Sequence, residues 1–260
     1  MRQPIEKAFS RGRSYTVDVQ RYDSKHNTVL PIIPIIPIIP IMLAAMTHSE
    51  TDFLKFAIDS EVLRFGEFTL KSGRVSPYFF DAGLFNTGHQ IATLGHFYAA
   101  LLAEREPESF MLYGPAYKGI PLATATATAL SQQHNRDVAF AFNRKEAKDH
   151  GEGGEVIGAP LRGRVVIIDD VITAGLSVEE SVRIIRAAGA EPAAVAIALD
   201  REEKMTTSEH SAVAEVETQY DLPVHAIAHF STLVSYLGNE SDLARYVPAM
   251  TTYQSRYGSR

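Results

Sequence analysis

The chain has 260 residues, 45% of them apolar, enough for one substantial core and compatible with one or two domains. It contains no cysteine, which excludes a disulfide framework and thiolate metal sites. A formal charge of −6 argues against general nucleic-acid binding through net charge.

Residues 1–25 are polar and mildly basic, with Arg2, Lys7, Arg11, Arg13, Arg21 and Lys25 set against Glu6, Asp18 and Asp23. The run VLPIIPIIPIIPIMLAA follows, with Pro31, Pro34, Pro37 and Pro40 at every third residue. Polyproline II has three residues per turn, so these prolines would form one stripe. Proline at this density removes donors and clashes with the preceding turn, which excludes an ordinary helix and makes a poor membrane span. Basic residues ahead of an apolar run are compatible with a targeting or membrane-associating segment. A flexible tail, or a true start at Met42 or Met46, are the other two readings.

From Thr51 helical and strand patterns alternate. Phe53, Phe56, Ala57 and Leu63 can line one side of an initial helix. Phe68–Leu70 and Pro77–Asp81 suit short strands, and Ile91–Leu102 and the Ala/Thr-rich Ile120–Leu130 suit helices. Met111–Tyr113, Ala139–Phe142, Val165–Ile168, Ala193–Leu199 and His225–His229 are further strand candidates. Such alternation implies parallel pairing through right-handed crossovers, hence a doubly wound α/β sheet flanked by helices.

Arg164–Ser177, RVVIIDDVITAGLS, joins three kinds of chemistry at fixed offsets. Val165–Ile168 has the β-branched composition of a strand buried on both faces. Asp169 and Asp170 fall at its carboxyl end, where open α/β sheets bind ligands. Thr173, Ala174, Gly175, Leu176 and Ser177 then form a small-residue turn into an amphipathic segment whose Val178, Val182 and Ile185 have helical spacing. Backbone N–H groups and hydroxyls at a helix start suit a phosphate, while carboxylates attract hydroxyls or a metal. A sugar phosphate satisfies both. An acid pair alone would be read as a capped strand–helix junction; the ordered set argues for a ligand.

This segment resembles the phosphoribosyl pyrophosphate signature of the type I phosphoribosyltransferases. FGEFTLKSGRVSPYFFDAGLFNTG at 65–88, YGPAYKGIPLA at 113–123 and FNRKEAKDHGEGG at 142–154 narrow the resemblance to the orotate phosphoribosyltransferases. It runs from about Thr51 to the C-terminal region. Because it begins just after Met46 and the proline repeat is low in complexity, a start at Met42 or Met46 is the favoured reading. Residues 1–46 are then a low-complexity extension, disordered or outside the native start, and 47–260 the enzyme domain.

The resemblance implies a small N-terminal hood over the carboxyl edge of the sheet. It also implies conversion of orotate and phosphoribosyl pyrophosphate to orotidine 5′-monophosphate and pyrophosphate, with Mg2+ held mainly through substrate and water. Lys71, Tyr117, Lys118, Arg144, Lys145, Lys148 and His150 would contact phosphoribosyl pyrophosphate, together with Asp169, Asp170, Val171, Ile172 and Thr173–Ser177. Lys148, His150, Asp169 and Asp170 would be catalytic. Phe79, Phe80, Thr173 and Arg201 would hold orotate.

Some of these positions also carry independent signals, each with a plainer alternative. Lys118 in a glycine-flanked turn suits an anion or is a solvated lysine. The charged, glycine-ending 144–154 stretch suits a closing loop or is simply solvated. Phe79 and Phe80 are adjacent in a strand, which sends one of them toward the core and the other to the opposite face. Leu176 stands where family members often carry threonine, which puts phosphate affinity in doubt more than activity.

The family further implies a homodimer with shared active sites; the chain leaves no room for a fused orotidylate decarboxylase domain, so a monofunctional, cytoplasmic enzyme without nucleic-acid or membrane partners is expected. A purine phosphoribosyltransferase and a non-catalytic phosphoribosyl pyrophosphate sensor are the competing classes. The intact RKEAKDH run argues against the sensor.

Overall fold

The computed structural model describes residues 21–23, 28–30, 49–70, 72–145, 155–206 and 208–259. The chain divides into two compact units, Met1–Met46 and Thr47–Arg260. In the first, β1 (Arg21–Asp23) pairs antiparallel with β2 (Thr28–Leu30), Arg21 opposite Leu30.

The second unit opens with α1 (Glu50–Asp59), started by a capping box between Ser49 and Asp52. It buries Phe53, Leu54 and Ala57. Leu63, expected on this helix, is instead the first residue of β3 (Leu63–Thr69). The helix stops at Ser60, and Glu61 turns the chain with a φ of 56°. An apolar residue one turn past a helix end fits the 3.6-residue period equally well, so spacing alone misplaced it. β3 pairs antiparallel with β4 (Val75–Phe80) as a separate two-stranded sheet.

The rest alternates as the pattern requires. In order come α2 (Gly88–Arg105), β5 (Met111–Gly114), α3 (Gly119–His134), β6 (Phe140–Asn143), β7 (Val156–Gly158), β8 (Arg164–Ile168), α4 (Leu176–Ala187) and β9 (Glu191–Asp200). They are followed by α5 (Ala212–Tyr220), β10 (Val224–His229), α6 (Phe230–Asn239) and α7 (Val247–Tyr257). The strand order is β10-β9-β8-β5-β6-β7, with parallel neighbours throughout except at β6–β7. The doubly wound, mainly parallel sheet expected from the sequence is the observed fold. The antiparallel edge strand β7 was not expected, because three residues give no usable periodicity.

Strand β8 shows why the sheet is covered on both faces. Val166 and Ile168 point into one apolar layer, with Leu94, Leu102, Leu122 and Phe230. Val165 and Ile167 point into the other, with Val178, Val182, Ile185 and Val216. All four β8 residues are fully buried. Each stabilises the fold by roughly 1.5–3 kcal/mol relative to exposure.

At the amino edge of the sheet, buried Glu106 accepts from Arg164 at 2.6 Å and lies 3.0 Å from His225 Nε2. Arg136 donates to the carbonyls of Glu106 and Glu108, both at 2.7 Å. This polar knot joins α2, α3, β8 and β10 at the end of the sheet opposite the candidate site.

Candidate active site

Four neighbouring strands end on the same edge of the sheet, and each is followed by a segment singled out in the sequence. In spatial order they are Arg201 after β9, Asp169 and Asp170 after β8, Tyr117 and Lys118 after β5, and Arg144 and Lys145 after β6. The topology therefore gathers residues scattered over some 85 positions, as carboxyl edges of open sheets do.

The acids are fixed through their backbone. Asp169 N donates to Ala196 O at 3.0 Å, and Asp170 O accepts from Ala198 N at 2.9 Å. Buried Tyr98 reaches up from α2 and donates its hydroxyl to Asp169 O at 2.7 Å. The two carboxylates are electrostatically unlike. Asp170, 6% exposed, accepts from Lys118 Nζ at 2.7 Å. Asp169 has no such cation among the described residues; Ser177 Oγ donates to its Oδ2 at 2.8 Å and the Asp170 N–H to its Oδ1 at 2.9 Å. Burial, followed by the charge of Asp170, raises its pKa to about 6, against the lowering effect of the Ser177 bond.

Lys118 also lies 3.6 Å from Asp81 Oδ1, and its side chain is about half exposed. Desolvation would lower its pKa, but the hydrogen bond and charge of Asp170 outweigh that and the net shift is upward. The ammonium thus stays protonated, neutralised by protein carboxylates yet open to solvent. Tyr117 beside it is 67% exposed, with Lys145 Nζ 5.1 Å from its ring centroid. Buried Asn143 accepts from Ala116 N at 2.7 Å, tying this turn to the end of β6. The turn requires glycine at 114: a Cβ there would lie 2.1 Å from Gly119 O.

Two helix starts face this edge. Helices α1, α2 and α5 carry side-chain caps from Ser49, Thr87 and Ser211, whereas α3 and α4 have none. At α3 the first two N–H groups are already taken, Gly119 N by Pro115 O at 3.0 Å and Ile120 N by Tyr117 O at 3.3 Å, and Pro121 has none, so the N–H groups open to an anion are those that start α4. Gly175, the N-cap of α4, adopts a left-handed φ of 73°. Thr173 and Ala174 are exposed and Leu176 is 69% exposed. Ile172 is buried in the α4 layer and Val171 packs against the other layer, so these two offer a ligand their backbone only. A cavity of about 350 Å³ behind the turn is lined by Ala174 and Gly175 but also by Glu179 and Glu215, a poor environment for an anion.

On the opposite side of the acids, Phe80 packs into the core against Phe53, while Phe79 lies on the other face, stacked 5.5 Å from Phe68. Arg201 donates from Nε and Nη2 to Glu203 Oε1 at 3.0 and 2.7 Å, and from Nε to the Tyr78 hydroxyl at 3.1 Å. Lys71, Lys148 and His150 lie outside the described residues.

The sequence reading missed five polar residues: Tyr78, Asp81, Tyr98, Asn143 and Glu203. Tyr98 sits among apolar residues at helical spacing, which hides its hydroxyl. Asn143 immediately precedes the charged run, the one cue that pointed to it. Among the described residues no three His, Cys, Asp or Glu side chains are grouped to hold a metal ion. The carboxylate oxygens of Asp169 and Asp170 are nonetheless hard donors of the type Mg2+ accepts, directly or through water.

A sequence model of the phosphoribosyl transferase domain matches residues 89–226. The orotate phosphoribosyltransferase of Thioalkalivibrio sulfidiphilus is 57% identical over 209 residues, covering 80% of this chain and 98% of that protein. That of Methylococcus capsulatus is 58% identical over 210 residues, covering 81% and 98%. The crystal structure of orotate phosphoribosyltransferase from Francisella tularensis superposes with a TM-score of 0.73 at 42% identity, covering 80% of this chain and 99% of that one.

Proposed function

Because the chain belongs to the orotate phosphoribosyltransferase family, we propose a division of labour among its residues in transferring the 5-phosphoribosyl group to orotate. The reaction breaks the bond between the anomeric carbon and pyrophosphate, which leaves with the electron pair. Orotate nitrogen forms the new bond, giving orotidine 5′-monophosphate and free pyrophosphate. Positive charge develops on the ribose in between.

Asp169 and Asp170 hold the ribose hydroxyls and place negative charge beside that developing cation. The N–H groups and hydroxyls of Thr173–Ser177 grip the 5′-phosphate and fix its orientation. Lys118 is held in the free enzyme by Asp170 and moves to the pyrophosphate when it binds, with Tyr117 and Lys145 alongside. Arg144, Lys148 and His150 complete the cationic surround of the leaving group. Phe79, Phe80 and Arg201 hold orotate, and Lys71 contacts phosphate. Asp169 and Asp170 would hold Mg2+, directly or through water, and the ion would supply positive charge that offsets that of the pyrophosphate.

The observation that carries this reading is the Lys118–Asp170 pair beside the uncapped start of α4: a cation, two acids and N–H donors on one sheet edge. It is tested by following orotate consumption with phosphoribosyl pyrophosphate, with and without Mg2+. Mg2+-dependent loss of orotate with matching nucleotide formation supports it. Bound phosphoribosyl pyrophosphate without turnover of orotate, in folded protein, would refute it.

We further infer a cytoplasmic homodimer in which the 144–154 segment serves the neighbouring subunit's site, as the family resemblance suggests. Mixing a Lys118→Met chain with a Lys148→Met chain should then restore activity in hybrid dimers. No helix among the described residues is long and apolar enough to cross a membrane. The catalytic domain is proposed to be 47–260, and a chain beginning at Met46 should keep full turnover.

A further inference from the structure

Arg201 leaves β9 with a long side chain, yet its guanidinium is held before any ligand arrives. Glu203 Oε1 accepts from both Nε and Nη2, and Tyr78, 1% exposed, donates its hydroxyl to the same oxygen at 3.0 Å. Arg201 and Glu203 side chains are 19% and 13% exposed, so the pair is only weakly screened by water.

Glu203 is itself anchored. Its Oε2 lies 3.7 Å from Arg74 Nη1, which also donates to Lys204 O at 2.8 Å, and the Arg74 guanidinium rests 4.7 Å from the Tyr257 ring centroid. The backbone of 202–204 is stitched to the C-terminal segment through Lys204 N to Tyr257 O and Ser259 N to Glu202 O, both 2.8 Å. One edge of the Arg201 fork is thereby consumed. Among the described residues its Nη1 donates to no protein group, so one Nη1 N–H and the second Nη2 N–H remain as two parallel donors for a planar ligand edge.

We propose that Glu203 is a positioning residue for base recognition: it locks the Arg201 guanidinium so that its free edge meets the carboxylate or carbonyl edge of orotate without reordering. Tyr78 is the second anchor of the same lock. The proposal rests on Arg201 as an orotate contact. Holding a flexible cation in its bound geometry beforehand removes an ordering cost from orotate binding and leaves binding of the sugar phosphate untouched.

The test is steady-state kinetics of Glu203→Gln, Tyr78→Phe, Arg201→Lys and the Glu203→Gln/Arg201→Lys double variant, with melting temperatures. Glu203→Gln replaces charge-assisted bonds by neutral ones, so KM for orotate should rise about fivefold. KM for phosphoribosyl pyrophosphate should stay near wild type, while the melting temperature falls because Arg201 and Arg74 lose their shared carboxylate. Tyr78→Phe should give a smaller rise in the same constant, and Glu203→Gln should add nothing in the Arg201→Lys background. An unchanged orotate KM, or equal rises in both constants, overturns the proposal. If Glu203→Gln does not fold, an unchanged orotate KM in Tyr78→Phe overturns it instead. Arg201→Lys without effect on orotate KM would overturn the base-contact reading beneath it. A rise there with Glu203→Gln silent overturns the positioning role alone.

Discussion

Lys118 Nζ sits 2.7 Å from Asp170 Oδ2, so the side chain best placed to receive pyrophosphate is already engaged by an acid proposed to hold the ribose. The arrangement keeps a buried carboxylate paired while the site is empty. It also makes the two substrate-binding groups interdependent.

Lys118→Met retains the stem and removes the charge. KM for phosphoribosyl pyrophosphate should rise roughly ten- to a hundredfold, the range of a hydrogen bond to a charged group. Stability should fall by about 1–3 kcal/mol: Lys118 is half exposed, but the Asp170 side chain, 8% exposed, loses its cation. Initial-rate kinetics and thermal unfolding check both. A large stability loss with normal KM would make the pair purely structural.

Asp169→Asn should separate stability from activity. The folded-state pKa is raised above the unfolded value, so the folded protein holds this proton more tightly and ionisation destabilises it. That penalty is absent below the unfolded pKa, grows as pH rises toward about 6, and is fully present above it. The neutral amide should therefore stabilise the empty protein at pH 7.5 by about 1–2 kcal/mol, discounted for partial exposure. Calorimetry should show a melting temperature higher by roughly 2–6 °C, a difference that shrinks toward pH 4. Turnover should drop on the order of a hundredfold, and the acid limb of kcat/KM near pH 6 should disappear. A lower melting temperature at pH 7.5 would contradict the assignment.

Leu176→Thr adds a hydroxyl at an exposed position in the phosphate turn and removes apolar surface from water. KM for phosphoribosyl pyrophosphate should fall about two- to fivefold, the size of one modest hydrogen bond, with stability unchanged. An unaltered KM would mean that the N–H groups of the turn already saturate the phosphate.

Gly114→Ala should damage the Tyr117–Lys118 turn, because its Cβ would collide with the Gly119 carbonyl. A stability loss of about 1–3 kcal/mol is expected, as for other overpacked positions, together with weakened phosphoribosyl pyrophosphate binding. Urea titration and ligand-induced thermal shifts would report the two effects separately. A fully stable variant with normal binding would mean that the turn relaxes freely.

Much of this was legible in the sequence because the informative patterns are local. RVVII followed by two acids and a small-residue turn encodes a doubly covered strand, a sheet edge and a helix start within fourteen residues. The adjacent Phe79 and Phe80 separate to opposite faces as strand alternation requires. The residues that fix the site's geometry were not legible, because their partners are distant in sequence. Tyr98 meets Asp169 across 71 positions, and Tyr78 meets Glu203 across 125. In each case the side chain's apolar body sets the local pattern and its hydroxyl escapes it. Leu63 failed differently, since a residue one turn beyond a helix satisfies the helical period as well as the strand that it begins.

The knot of Glu106, Arg164, His225 and Arg136 lies at the far end of the strands that carry the chemistry. This gives an engineer two independent handles on one molecule. Substitutions around Glu106 would set how long the enzyme survives heat or solvent, and those beyond Asp169 how fast it works. Repacking the knot with apolar side chains is thus the place to seek a hardier catalyst without retuning its substrate preferences.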